Sequence, residues 1–138
     1  MLAIVRLAAA PAGQNAAASV TLALLPDGGV VIADDGRGLP VEPLRPWPEA
    51  QRATAALAAP LIVETGRDGG WSRVACVRGA VVKPLRPAIS PQMRGTRIGF
   101  RPDPALFAAH RFNPARLAAG LAAIRAAVPG VDVRLVRV

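Results

Sequence analysis

The stretch that decides the fold is VVIADDGRGLP, residues 30–40. Val30, Val31, Ile32 and Ala33 form an apolar, β-branched run of the kind that makes a strand. The run stops at Asp34 and Asp35, and Gly36, Arg37 and Gly38 follow. Two readings fit. In one, the aspartates are turn formers and Gly36 and Gly38 take positive φ. In the other, a carboxylate at the mouth of a strand accepts a hydrogen bond from a ligand N–H. The glycines then let that ligand approach the backbone.

Working outward, SVTLALLPDGGVVIAD (19–34) reads as a hairpin turning at Pro26-Asp27-Gly28-Gly29. GRGLPVEPLRPWPE (36–49) is a proline-rich loop. PEAQRATAALAAP (48–60) is a short helix, with Pro48 at its first position and Pro60 ending the run. LIVETGRDGGWSRVACV (61–77) is a second hairpin with its tip at residues 66–70, and KPLRPAISPQ (83–92) is another connection. GTRIGF (95–100) is a strand, and RPDPALF (101–107) turns into a short helical piece with Asp103 as its N-cap. NPARLAAGLAAIRAAVPG (113–130) is the clearest helix. Asn113 caps it, Pro114 opens it, and Leu117, Leu121, Ile124 and Val128 share one face. VDVRLVRV (131–138) alternates as a last strand. The order β-β-α-β-β-β-α-β predicts an α+β fold, a two-layer sandwich of a mixed, mostly antiparallel sheet with helices on one face.

At 138 residues with 52% hydrophobic content, the chain is one domain, 1–138, with a real core. The formal charge of +8 comes from 16 Arg and one Lys against nine acids. The arginines are scattered, so DNA is expected to bind only through non-specific charge. Cys76 is alone and reads as a small buried hydrophobe, which excludes an internal disulfide. His110 is the one histidine, too isolated for a Cys-His dyad. Trp47 and Trp71 read as cover for the core. Arg6 interrupts the first apolar run, so the start is not read as an export signal. No run reaches the roughly 18 apolar residues of a membrane helix. The expectation is a cytoplasmic chain without a membrane partner.

VVIADDGRGLP resembles the nucleotide-binding strand and turn of the ATPase domain of the DNA gyrase B and topoisomerase IV B proteins, of the GHKL type. A D-x-G-x-G pentapeptide alone is a weak signal. GTRIGFRPDPALFAAHRFNPARLAAGLAAIRAAVPGVDVRL (95–135) is similar to the later half of the same domain, with its G-T-x-x-x-F-x-P-D strand and R-F-x-x-x-R-L helix. ATAALAAPLIVETGRDGGWSR (53–73) sits between them, where the family has a helix, a strand and a hairpin. The resemblance spans residues 18–138 and leaves 1–17 unassigned. It implies a nucleotide site. Asp34 would accept the adenine amino group, Gly36 and Gly38 would clear the backbone, and Thr96 would share the ring. Arg37 and Pro40 would line the mouth, and Arg67 the rim.

The same resemblance marks what is missing. The family carries a helix ahead of the first hairpin with a catalytic glutamate and an Mg²⁺-binding asparagine. Residues 1–17 hold no acid, and Asn15 is a poor stand-in for the metal ligand. Residues 41–48 replace the glycine-rich lid. Phosphoryl transfer needs positioning, a metal and charge neutralisation. The implied protein is non-catalytic, with no catalytic residue and no metal ligand. Its site is vestigial, takes ATP or ADP weakly and does not need Mg²⁺. It would act through protein contacts, as a regulator or mimic of topoisomerase assembly. Two alternatives stand beside it: an ATPase completed by a partner chain, and a basic DNA-binding module. A missing helix would bare the sheet. MLAIVRLAAA (1–10) would replace it, or LAIVRL (2–7) would add an edge strand, or another copy or a protein partner such as a topoisomerase subunit would cover the face.

Overall fold

The fold is described from a computed structural model, which defines residues 5, 17–37, 49–67, 70–88, 95–107 and 111–138. The first hairpin pairs β1 (Ser19–Leu24) with β2 (Val30–Asp34), from Val20 opposite Asp34 to Leu24 opposite Val30. Its turn needs glycine: Gly28 has φ +84° and donates its N–H to the Leu25 carbonyl at 3.1 Å. Asp27 Oδ1 accepts the Gly29 N–H at 2.9 Å and fixes the same turn.

The chain continues through helix α1 (Glu49–Ala56), strands β3 (Ala58–Arg67), β4 (Gly70–Val77), β5 (Ala80–Ala88) and β6 (Gly95–Pro102), helix α2 (Pro114–Ala127) and strand β7 (Asp132–Arg137). One seven-stranded sheet results, in the order β5-β4-β3-β6-β2-β1-β7. Every neighbour is antiparallel except β7, which runs parallel to β1 after the α2 crossover. The expected α+β sandwich is therefore the observed architecture.

Burial has the period of two that a half-covered sheet requires. Val20, Leu22, Val30, Ile32, Leu61, Val63, Val74, Cys76, Ile98, Phe100 and Val133 are buried in one core cluster, all on the same face. Leu117, Leu121 and Ile124 of α2 and Ala55 of α1 cover that face. On the other face Arg73, Arg97 and Arg134 are exposed. Burial pushes the Cys76 thiol up, as expected of a small core hydrophobe. Val5 is helical and fully buried in the same cluster. Val5 thus helps to cover this face; the rest of MLAIVRLAAA lies outside the described residues.

Four local expectations are corrected. KPLRPAISPQ is not wholly a connection, because 83–88 complete β5. That strand lies at the sheet edge, where Pro84 and Pro87 need not donate to an outer neighbour. Pro60 does not separate helix from strand, since β3 begins at Ala58 and is irregular between Ala58 and Leu61. The second hairpin is longer than expected: Gly66 pairs with Trp71 and Arg67 with Gly70, within the ladder. Among the described residues Asp103 opens a turn, not a helix. Its Oδ1 accepts the Ala105 N–H at 3.0 Å in a turn, and its carboxylate takes Arg78 Nε at 2.5 Å. The Arg78 hydrogen bond, then the Ala105 N–H, holds that carboxyl below the usual carboxylate range, although burial opposes them.

Helix α2 follows its sequence closely. Asn113 Oδ1 accepts the N–H groups of Ala115 and Arg116 at 3.0 and 3.3 Å, and Pro114 occupies the first turn. Leu121→Ala should cost about 2–5 kcal/mol of folding stability, because Leu121 is fully buried. Asn113→Ala should cost about 1 kcal/mol. Urea unfolding checks both; equal losses would contradict the placement of α2.

Candidate functional site

The register lays the core face out in rows. Val30, Phe100, Leu61 and Cys76 form one row across β2, β6, β3 and β4. Ile32, Ile98, Val63 and Val74 form the next. The third is polar: Asp34, Thr96, Thr65 and Ser72. The apolar sheet face thus ends in a carboxylate and three hydroxyls, one per strand, about 4.8 Å apart.

These hydroxyls are buried, with Thr96 at 6%, Thr65 at 3% and Ser72 at 5% exposure. Asp34 is half-buried. Its Oδ1 accepts the Gly36 N–H at 2.9 Å, closing a turn over two residues. The Thr96 hydroxyl has no hydrogen-bond partner among the described residues. Leaving a buried hydroxyl unpaired costs about 1–3 kcal/mol. Such a group beside a carboxylate suits a ligand carrying both a donor and an acceptor.

Two contacts hold this end of the sheet in place. Asp35 Oδ1 accepts the Ala18 and Ser19 N–H groups at 2.8 and 2.9 Å, which ties the start of β1 to the end of β2. Burial would raise the Asp35 carboxyl, but the backbone N–H groups of Ser19 and Ala18 outweigh it and the net shift is downward. Gly95 makes the second contact. It has φ +111°, and a Cβ there would lie 2.0 Å from the Asp34 carbonyl oxygen. Only glycine lets β6 start this close to the Asp34–Asp35 turn.

The structure places Asp34 opposite Thr96 and beside Gly36. Gly36 is buried, but it is not among the positive-φ glycines, which are Gly28, Gly79 and Gly95. The expected positive φ is therefore absent at Gly36, while Asp34 does act as a turn former, its side chain accepting the Gly36 N–H. Arg37 is exposed just beyond. Arg67 ends β3, one residue past Gly66, which pairs with Gly95; this places its backbone at the same end of the sheet. Gly38 and Pro40 lie outside the described residues, as do Asn15, Trp47, His110 and the Trp71 side chain. Sequence reasoning missed Thr65, Ser72, Gly95 and the Asp35 clasp. The signal for the first two was in the strand pattern: continuing the alternation of Leu61 and Val63 lands on Thr65.

Asp35→Asn should destabilise the fold by about 1 kcal/mol at pH 7, an amount limited by solvent exposure. The folded carboxyl sits below its ordinary value of 3.8. Its stabilisation is therefore present above that value and is lost as pH falls through the lowered one. The gap between the two proteins in urea unfolding should narrow as pH falls below 3.8 and through the lowered value; a gap constant with pH would contradict the clasp. Gly95→Ala should cost more than about 2 kcal/mol, since backbone must shift to admit the methyl group.

Comparison with known proteins bears on the sequence and the fold. No family model matches the chain. The gyrase B protein of Thermus thermophilus is 29% identical over 148 aligned residues, covering 83% of this chain and 23% of the relative. The type 2 topoisomerase B protein of Aquifex aeolicus is 31% identical over 121 residues, covering 66% of this chain and 15% of the relative. The crystal structure of the 43K ATPase domain of Thermus thermophilus gyrase B in complex with an aminocoumarin superposes with a TM-score of 0.76 at 30% identity. That match covers 88% of this chain and 37% of the solved one. The chain therefore spans less than a quarter of these curated relatives. In sequence and in fold, it is a gyrase B ATPase-domain-like chain.

Proposed function

We propose that this chain binds the adenine end of a nucleotide at Asp34 and Thr96, does not hydrolyse it, and acts through a protein partner. The observation that carries the reading is the polar row at the end of the core face. There the half-buried Asp34 is in register with a Thr96 hydroxyl that has no partner among the described residues. A carboxylate accepts only, and adenine offers an exocyclic N–H donor; a hydroxyl can serve a ring nitrogen. Gly36 and Gly38 would leave the ring room, and Arg37, Pro40 and Arg67 would line its edge.

The phosphate end is the weaker half. Only residues 38–48 separate the Asp34 turn from α1, and no G-x-x-G-x-G occurs in them. The contacts that would lower a phosphoryl-transfer barrier are those made to the γ-phosphate and its metal. With recognition confined to the base, ATP and ADP bind alike and weakly, because a few hydrogen bonds must outweigh the cost of association. The biological output then comes from contacts with a topoisomerase subunit or a second copy, with the nucleotide setting the shape of the Asp34 turn.

Calorimetric titration with ATP, ADP and an aminocoumarin tests this reading. ATP and ADP should agree within about threefold, and Asp34→Ala should weaken both at least tenfold, about 1.4 kcal/mol. ATP binding far more tightly than ADP, or Mg²⁺-dependent turnover lost with Asp34→Ala, would favour a working ATPase. No heat at millimolar ligand would remove the nucleotide site.

A further inference from the structure

The opposite end of the first hairpin carries a feature that the nucleotide reading does not use. A cavity of about 240 Å³ opens between the β1–β2 turn, the start of α2 and the end of β7. Its walls are apolar, with Leu24, Phe112, Pro114 and Val138 among them. Phe112 is fixed edge-on against Phe100, with ring centroids 6.3 Å apart. Arg111 and Arg137 complete the lining, and no Asp or Glu contributes to it.

What sets Arg111 and Arg137 apart is that they line one cavity together. Arg73, Arg78, Arg101 and Arg134 each face a carboxylate, from Glu64, Asp103, Asp27 and Asp132 respectively. Arg111 and Arg137 have no such partner among the described residues; Arg37, Arg97 and Arg116 also lack one there. Asp27 is the acid of the adjacent turn, but its carboxylate is already taken by Arg101 and the Gly29 N–H. The N–H groups at the start of α2 are also used, by the Asn113 side chain and carbonyl. An anion would therefore be held by the two guanidiniums, not by the helix end.

We propose that this cavity is a binding site for a small organic carboxylate with an apolar body, such as an aromatic ring or a short acyl chain. Guanidinium pairs carboxylate through charge-assisted, fork-shaped hydrogen bonds. Apolar walls favour a ligand with an apolar body over a bare inorganic anion. The volume lies below the usual range of about 300–1,000 Å³ for drug-sized ligands, so a ligand of nucleotide size does not fit. The site is four residues along β2 from Asp34, about 13 Å, and does not depend on the nucleotide reading. Bound ligand would join three segments distant in sequence: the hairpin, the start of α2 and the last strand.

The test is an amide chemical-shift titration of the isotope-labelled full chain with sodium benzoate at fixed ionic strength. Sodium chloride and the neutral isostere benzyl alcohol are the controls. Saturable shifts are expected at Gly28, Gly29, Phe112 and Val138. They should weaken at least tenfold in R111S/R137S, whose replaced side chains are exposed, and remain unchanged in Asp34→Ala. Four results would overturn the proposal: no saturable shift, equal shifts with chloride, equal affinity for benzyl alcohol, or undiminished binding by R111S/R137S. Shifts centred on Asp34 and Thr96 would do the same, while leaving the nucleotide site standing.

Discussion

The register of β2 against β6 is the constraint on which the rest depends. With Asp34 opposite Thr96, Val30 and Ile32 fall on the core face and Asp34 continues the same column. A slip of one residue would turn all three outward and bury Val31, Ala33 and Asp35 instead. The apolar pairs Val30–Phe100 and Ile32–Ile98 oppose such a slip. Gly95 opposes it again, since its backbone occupies space against Asp34 that any side chain would fill. Asp35 pins the other side, by way of the Ala18 and Ser19 amides. Core packing and site geometry are thus one constraint, and the carboxylate cannot move without disturbing the hydrophobic rows.

That coupling explains how a small domain holds a polar cluster at all. Three buried hydroxyls and a half-buried carboxylate would be poorly placed in the middle of the core. They sit instead at the end of the apolar rows, beside the half-buried Asp34 and the turn that follows it. The same sheet has an unlike second end. There the hairpin turn, Phe112 and two arginines without a carboxylate partner among the described residues enclose a cationic, apolar cavity.

Much of this was legible in the sequence because it rests on local chemistry. Asn113 and Pro114 announce the start of α2, and Leu117, Leu121 and Ile124 announce its buried face. Pro26 to Gly29 announce a turn whose geometry needs Gly28. Asp34 and Thr96 could be joined only through a resemblance, since they are 62 positions apart in the chain. What stayed hidden is non-local or depends on position in the sheet. Asp35 reads as a turn former because its partners, Ala18 and Ser19, lie seventeen and sixteen residues away. Asp103 reads as a helix cap because nothing in its neighbourhood reveals Arg78, 25 residues earlier. The strand containing Pro84 and Pro87 reads as a loop because proline is tolerated in a strand only at an edge, and edge position is a property of the finished sheet.

The central claim is that the Asp34–Thr96 end of the sheet recognises adenine by accepting its amino hydrogen. The most direct measurement is a comparison of adenosine with inosine, by amide chemical shifts of the labelled chain. Inosine replaces the amino donor with an oxygen that a carboxylate repels. The account predicts saturable shifts at Asp34, Gly36 and Thr96 with adenosine and at least tenfold weaker binding of inosine. Equal response to the two nucleosides, or shifts elsewhere on the sheet, would contradict it.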